Sequence, residues 1–148
     1  MKKIKVLFMV IFILLFASCG KPKEVNMKDT EIRDGITYIK GKNKVFTGIV
    51  KSYYDNGSLR EEVTLKDGKQ DGISKTYYDN GNLEYIGLHK NGKLDGIFKS
   101  YYPNGKVENE RYYKNGVPDG ISKNYNENGK FLSEHHYKNG KMIYWLNW

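Results

Sequence analysis

The sequence has a single cysteine and lacks the short motifs that mark common catalytic sites. One cysteine among 148 residues excludes an internal disulfide framework and any zinc site built from several cysteines. No nucleophile elbow, phosphate-binding glycine loop or metalloprotease helix motif occurs along the chain. We therefore expect a protein that is not an enzyme and that carries no cofactor.

Long apolar runs are also missing. The longest one, residues 6–16, has 11 residues, whereas a helix that crosses a bilayer core needs about 20. Aliphatic residues are sparse beyond this run, while tyrosine occurs 13 times. This balance favours a thin sheet over a thick globular core.

Metal and nucleic-acid sites have little support in the sequence. His135 and His136 are adjacent, and adjacent side chains of a strand point to opposite faces, so the two are not expected to share a metal. Each Asn-Gly or Asp-Gly turn offers at most one carboxylate, whereas calcium takes about six to eight oxygen ligands. The net charge of +8 includes three lysines at the extreme N-terminus, and the rest of the chain has no dense basic patch. We expect no metal and no nucleic acid as ligands.

The N-terminus has the features of an export signal. Lys2, Lys3 and Lys5 precede the apolar run, and small residues follow it, which predicts a signal peptide over residues 1–18. The stretch LFASC that ends at Cys19 resembles a bacterial lipobox, although Phe16 stands where leucine is usual. The resemblance implies cleavage before Cys19 and lipidation of its thiol and new amino group. The alternative is an ordinary signal peptide followed by a chance cysteine.

The predicted location follows from this resemblance. Two or more acyl chains give stable attachment, so the membrane of the bacterial cell envelope is an expected partner of Cys19. In lipoproteins, an aspartate directly after the lipidated cysteine favours retention in the inner membrane. This chain has Gly20 at that position, so we expect the protein to reside in the outer membrane if the cell has one. Residues 19–34 are expected to comprise the lipidated Cys19, which the resemblance implies, and a flexible tether, because residues 20–34 are polar and without clear periodicity.

Four tandem units of 24 residues form the main part of the chain, without insertion or deletion. Each unit contains two β-type segments separated by Asn-Gly or Asp-Gly, the strongest local signal for a β-hairpin. The pattern predicts an all-β fold, an elongated single-layer antiparallel β-meander built of these hairpin repeats. A degenerate hairpin (residues 35–47) is expected to cap the start, because terminal repeats differ from internal ones, and residues 144–148 are expected to form a C-terminal cap strand. The units are residues 48–71, 72–95, 96–119 and 120–143.

Pro103 indicates the loop type at the first turn of each unit. A two-residue loop at Asn104-Gly105 would place Pro103 inside the hydrogen-bond ladder, where its missing N–H is a cost. A three-residue loop avoids this cost and leaves Gly105 in a left-handed conformation. It also brings repeated apolar positions together on the face that holds Ile49, Ile73, Ile97 and Ile121. The pairs that it predicts are Tyr53 with Leu59, Tyr77 with Leu83, Tyr101 with Val107, and Tyr125 with Phe131.

Two sets of side chains repeat along the predicted sheet as stripes. The lysine stripe is either a solvated ladder that discourages edge pairing or a groove for anionic polymer or lipid headgroups. The tyrosine stripe either packs within the sheet or contacts a ligand. The stripes are Lys51, Lys75, Lys99 and Lys123, and Tyr54, Tyr78 and Tyr102. Trp145 occupies the position of the isoleucines, so Trp145 and Trp148 either close the last apolar row or form a contact surface.

The repeated phrase GI-x-K-x-YY-x-NG-x-L, followed by KNGK-x-DG, resembles the bacterial variant of the MORN (membrane occupation and recognition nexus) repeat. The resemblance covers residue 34 to about residue 143. It implies an elongated, twisted antiparallel sheet with a role in protein or membrane contacts. Bacterial members often have the label of an antitoxin component, which fits an exported lipoprotein poorly. Asn126 and Ile143 depart from the repeat, which indicates that the fourth unit is terminal.

Two functions from different classes remain. The leading hypothesis is a membrane-anchored lipoprotein, a non-catalytic module that docks another envelope or host protein. The alternative is binding of anionic envelope glycan or lipid headgroups through the lysine stripe, and antitoxin-like partner binding is more remote. The dependence of binding on ionic strength distinguishes the first two hypotheses. Capture of a charged polymer weakens steeply as the ionic strength rises, whereas docking through tyrosine and tryptophan does not.

Overall fold

The computed structural model describes residues 21–147. The predicted signal peptide, the lipidation site Cys19 and Trp148 lie outside these residues. Within the described range, no helix is both long enough and apolar enough to cross a bilayer. The one helical segment there is a single 3-10 turn at Met27–Asp29.

Residues 21–147 form a ten-stranded sheet and a separate two-stranded hairpin. Consecutive strands from β4 to β12 pair antiparallel in sequence order, which confirms the predicted all-β meander of hairpin repeats. The short strand β1 lies at the N-terminal edge and pairs parallel with β4, while β2 and β3 pair with each other. The strands are β1 Glu24–Asn26, β2 Thr30–Arg33, β3 Ile36–Ile39, β4 Gly48–Tyr53, β5 Leu59–Lys66, β6 Lys69–Tyr77, β7 Leu83–Lys90, β8 Lys93–Tyr101, β9 Val107–Lys114, β10 Val117–Tyr125, β11 Phe131–Lys138 and β12 Lys141–Asn147.

Two turn types alternate along the meander. The first turn of each unit is the predicted three-residue loop: in the first unit the Tyr54 N–H donates to the Ser58 carbonyl, and Gly57 has φ +85°. All four predicted cross-strand pairs occur, starting with Tyr53 opposite Leu59. The second turn is a two-residue loop with positive φ at both positions, as at Asn91 and Gly92, which defines a type I′ turn.

The prediction of a flexible tether up to residue 34 is wrong for the part of it that the strands occupy. Strands β1 and β2 and the 3-10 turn lie within residues 24–33. The Ile49 N–H donates to the Lys23 carbonyl at 2.7 Å, and the Lys51 ammonium contacts the Glu24 carboxylate at 2.8 Å. Tertiary pairing with β4 therefore orders a segment whose local sequence has no strand periodicity.

The predicted N-terminal hairpin also differs from its expected form. Strand β3 pairs with β2 through the Asp34-Gly35 turn, and only an isolated bridge joins Tyr38 to Val45 across the expected turn. The Thr37 N–H donates to the Gly68 carbonyl, so this hairpin lies against the type I′ turn of the first unit. The segment does cover the start of the sheet, but it begins earlier than residue 35.

The sheet has two faces of different character, which we call face A and face B. Face A carries the buried core, formed by Phe46, Val50, Val63 and Leu65 with Val25 and Ile39 packed against them. Further along the sheet this face is lined by small, amide and aromatic side chains, including the fully buried Ser122. Face B carries the isoleucines and lysines of the repeats, because these residues alternate with the core residues along each strand.

Candidate functional site

The predicted lysine stripe lies on face B as one half of a charge ladder. Glu62 stands between Lys51 and Lys75, with nitrogen–oxygen distances of 3.7 and 3.9 Å. On β7 the same position holds Ile86, between Lys75 and Lys99. On β9 and β11 it holds glutamates that contact the other two lysines: Lys99 donates a hydrogen bond to Glu110, and Lys123 lies 3.8 Å from Glu134. Each lysine of the stripe therefore has a carboxylate within 4 Å, and with Glu24 the row has four positive and four negative charges.

The lysine pKa values agree with this pairing. The hydrogen bond with Glu24 raises the pKa of Lys51 against the smaller opposing effect of burial, and the hydrogen bond with Glu110 does the same for Lys99. Both ammonium groups are held in their charged form by protein carboxylates. The row is thus internally neutral and does not form a groove of uncompensated positive charge.

The tyrosine stripe connects successive repeats. The hydroxyl of each tyrosine donates a hydrogen bond to the carbonyl of the residue 23 positions later, from Tyr54 to Tyr77 at 2.6 Å and from Tyr78 to Tyr101 at 2.7 Å. Tyr102 does the same with Tyr125 at 2.9 Å. Desolvation first, then nearby glutamates, raise the pKa of Tyr78 and of Tyr102, so both phenols stay protonated as donors. These tyrosines act as interrepeat contacts of the scaffold.

Trp145 does not occupy the position of the isoleucines, so the first of the two alternatives, that it closes the last apolar row, is wrong. Strands β11 and β12 shift register between His136 and Tyr137, and Ile143 is the extra residue. Trp145 therefore lies opposite His135 on face A, with 55% of its surface exposed, while Tyr144 takes the expected place on face B. The Tyr144 ring stacks on His136 with centroids 3.9 Å apart.

Face B presents a continuous row of partly exposed apolar side chains, which we call the apolar row. Ile73 pairs with Leu88, Ile97 with Tyr112, and Ile121 with His136, on which Tyr144 stacks. The apolar members between β6 and β12 are 41–50% exposed, and among residues 21–147 no second layer covers this face of the sheet. They are Ile73, Leu88, Ile97, Tyr112, Ile121 and Tyr144.

A bulge in each repeat shapes the apolar row. Gly96 and Gly120 have φ near +130°, and a Cβ on Gly120 would lie 2.9 Å from the Tyr112 Cβ. The missing side chains leave space above the strands, and a cleft of about 330 Å³ opens between Ile97, Tyr112 and Ile121. Aliphatic and aromatic walls of this kind suit the anchor side chain of a partner protein.

Lysines flank the type I′ turns along one border of face B, and we call this set the lysine rim. The cross-strand pairs next to these turns include Lys66 with Lys69 and Lys90 with Lys93, and all of the rim side chains are exposed. Within residues 21–147, only Lys138 of this set has a carboxylate within 4 Å, that of Asp119 at 3.1 Å. The rim therefore holds most of the uncompensated positive charge of face B. Its members are Lys66, Lys69, Lys90, Lys93, Lys114, Lys138 and Lys141.

Sequence reasoning missed the lysine rim, although its signal is visible. The phrase KNGK places a lysine on each side of a two-residue turn, and paired positions across such a turn project to the same face.

Within the described part of the chain, no group of three or more His, Cys, Asp or Glu side chains has the geometry to hold a metal ion. His135 and His136 lie on opposite faces, as strand alternation predicts: His135 packs edge-on against Tyr137, whereas His136 stacks on Tyr144.

Comparison with known proteins decides the family. A family model described as "MORN repeat variant" matches residues 46–67, 70–91, 94–115 and 118–139, which together are more than half of the chain. The chain belongs to the MORN repeat variant family. Each matched MORN segment begins two residues before the bulge glycine and ends at the first residue of a type I′ turn. A search of curated proteins found no match.

Solved structures resemble the MORN sheet only weakly. One is a mutant of S. aureus TarM in complex with fondaparinux, alpha-GlcNAc-glycerol and UDP, with 17% identity and a TM-score of 0.42. Another is a structure of accessory secretory proteins 1, 2 and 3 in Streptococcus pneumoniae, with 14% identity and a TM-score of 0.38. The alignments cover 79% and 82% of this chain but 21% of each of those chains. At these scores, the likenesses carry no functional argument.

Proposed function

We propose that this protein is a non-catalytic docking module of the bacterial cell envelope, which binds another envelope or host protein through the apolar row of face B. The observation that carries the proposal is the row itself: apolar side chains on alternate and adjacent strands are 41–50% exposed along most of the sheet. Contiguous apolar surface on a folded protein marks interaction sites, because burying it against a partner is favourable. The cleft at Tyr112 offers a seat for one anchor side chain.

Charge on face B supports a protein partner over an anionic polymer. The lysine rim borders the apolar row on one side and the neutral lysine–glutamate ladder borders it on the other. A uniformly anionic glycan or bilayer surface would meet the carboxylates of Glu62, Glu110 and Glu134 as well as the rim. A polypeptide can place acidic side chains against the lysine rim and mixed polar groups against the lysine–glutamate ladder, so it complements both borders of the apolar row. Binding of glycan or lipid through Lys51, Lys75, Lys99 and Lys123 is therefore the weaker hypothesis.

The membrane anchor at Cys19 is part of the proposal. Support comes from the position of the single cysteine after a short apolar run. Strand β1 begins at Glu24, five residues after Cys19, so an extended chain spans at most about 18 Å between them. The sheet would then stay close to the membrane surface, which limits the partner to proteins that reach that surface.

Lipidation is tested by replacing Cys19 in the producing cell. We expect the native chain to incorporate labelled palmitate and to sediment with membranes, and Cys19→Ser to do neither. A matched control is a serine substitution nearby, Gly20→Ser, which retains the thiol. Equal membrane association of native protein and Cys19→Ser would contradict the anchor without affecting the docking face.

Docking is tested by capture from detergent-solubilised envelopes. We expect the native protein to retain one partner, and Ile97→Asp to lose it, because a carboxylate would be buried against apolar surface. The control is Gln substitution of Lys51, Lys75, Lys99 and Lys123, which should retain the partner at high salt. Loss of the partner in this control, with retention by Ile97→Asp, would reverse the ranking of the two functions.

A further inference from the structure

A cleft of about 540 Å³ lies on face A, between the β2–β3 hairpin and the start of the sheet. Its floor is formed by the core residues Val50, Val63 and Leu65, which are 4–6% exposed. Met27 and Ile32 line it from the hairpin side, and Ile32 is 73% exposed. The volume is within the range of small-molecule sites, about 300–1,000 Å³. The cleft is on the face opposite the apolar row.

Glu61 is the feature of this cleft that the scaffold does not explain. Its side chain lines the cleft and is half-buried, and within residues 21–147 no lysine or arginine nitrogen lies within 4 Å of its carboxylate. Desolvation raises the pKa of Glu61 against a smaller opposing effect of Arg60. The carboxylate has therefore lost part of its hydration and has gained no protein partner in return.

The internal repeats give a measure of how unusual this arrangement is. The residues at the same position of the later units are Tyr85, Asn109 and Ser133. Tyr85 packs against Phe98 with ring centroids 5.9 Å apart, and Asn109 and Ser133 both hydrogen-bond to Asn124. All three have partners on face A. Glu61 is thus the one acidic residue at this position, in the one unit that the hairpin covers.

We infer that this cleft binds a small organic cation, with its ammonium group on the Glu61 carboxylate and its hydrocarbon part against Met27 and Ile32, over the floor of Val63 and Leu65. The carboxylate supplies the charge that an ammonium group needs, and the exposed side chains of Met27 and Ile32 supply most of the apolar surface for the chain attached to it. The lining includes two acidic residues, Asp34 and Glu61, and one basic residue, Lys69, which also belongs to the lysine rim, so its net charge is negative. Two carboxylates with apolar neighbours do not suit a divalent metal ion, which takes several more oxygen ligands.

Three probes of equal chain length test the inference: octylammonium, octanol and octanoate, titrated into the purified protein by calorimetry. We expect saturable one-to-one binding of octylammonium, weaker binding of octanol and the weakest binding of octanoate. Shifts of the Val63 and Leu65 methyl resonances should accompany the binding. Absence of saturable octylammonium binding, or equal affinity for all three probes, would overturn the inference.

Substitution of the carboxylate separates charge recognition from simple apolar adsorption. Glu61→Gln should weaken octylammonium at least about tenfold and leave octanol unchanged, because a charge-assisted hydrogen bond becomes a neutral one. Glu61→Lys should shift the preference to octanoate. Glu84→Gln makes the same change in charge one unit away and outside the cleft, and should have no effect. Unchanged octylammonium affinity in Glu61→Gln would refute the role of Glu61, whatever the fate of the docking face.

Discussion

The hydroxyl of Tyr78 donates a hydrogen bond of 2.7 Å to the carbonyl oxygen of Tyr101, in the following repeat. Equivalent bonds from Tyr54 and Tyr102 extend the same connection along the sheet. In the last unit Asn126 replaces the tyrosine, and its side-chain oxygen accepts from the backbone of Asn128 and Lys130 within its own loop. The tyrosine stripe therefore ends where the series of repeats ends.

Tyr78→Phe should destabilise the protein by about 1 kcal/mol, because it removes one hydrogen bond and leaves a part-buried carbonyl without its donor. The measurement is urea unfolding. Tyr85→Phe is the matched control, since the Tyr85 ring packs on face A and its hydroxyl makes no hydrogen bond within the described residues. Equal loss of stability in the two variants would show that the hydroxyl contact contributes nothing.

Gly48→Ala should detach β1 from the sheet. Gly48 has φ +147°, and a Cβ there would lie 2.2 Å from the Lys23 carbonyl oxygen, which accepts the Ile49 N–H. The expected result is fast hydrogen exchange at the Ile49 amide. Gly57→Ala is the control: Gly57 also has positive φ, at +85°, but nothing lies within 4 Å of its Cβ position. Both variants should lose about 1 kcal/mol or more to backbone strain, and only Gly48→Ala should lose the amide protection.

Protonation of His89 should lower the free energy of unfolding as the pH falls. Burial lowers the pKa of His89 below its ordinary 6.5, with a smaller opposing effect of the Gly87 backbone, so the folded state favours the neutral ring. The unfolded chain then binds more protons between the two pKa values, and stability rises with pH across that window. Urea unfolding at pH 5 and pH 7.5 measures the difference, and His89→Gln should reduce it. An unchanged pH dependence in His89→Gln would exclude this residue as a cause.

Sequence reasoning succeeded where local geometry decides the structure. Pro103 excludes a two-residue loop, and from the three-residue loop the pairing of Tyr101 with Val107 follows. The two turn types and the all-β meander depend on Asn-Gly chemistry that is visible in every unit. These features require only neighbouring residues, so one sequence is sufficient to predict them.

Sequence reasoning failed where a distant strand or a single extra residue decides the structure. Residues 24–26 become a strand only because β4 offers an edge. In the first unit, one bulge residue after the three-residue loop decides whether Lys51 lies opposite Glu61 or Glu62. The same kind of shift at Ile143 moves Trp145 to face A. Since successive side chains alternate between faces, an offset of one residue transfers a side chain to the other face of the sheet. The charge ladder, and the lack of a basic partner for Glu61 among residues 21–147, both result from that one-residue offset.

Site-specific photo-cross-linking at two adjacent positions tests the docking face most directly. Ile97 lies in the apolar row on face B, and Phe98 lies on face A between Tyr85 and Tyr113. A photoreactive residue at position 97 should cross-link one partner protein in intact cells, and the same residue at position 98 should not. Cross-linking at position 98 without cross-linking at position 97, or equal yields at both, would contradict docking through the apolar row.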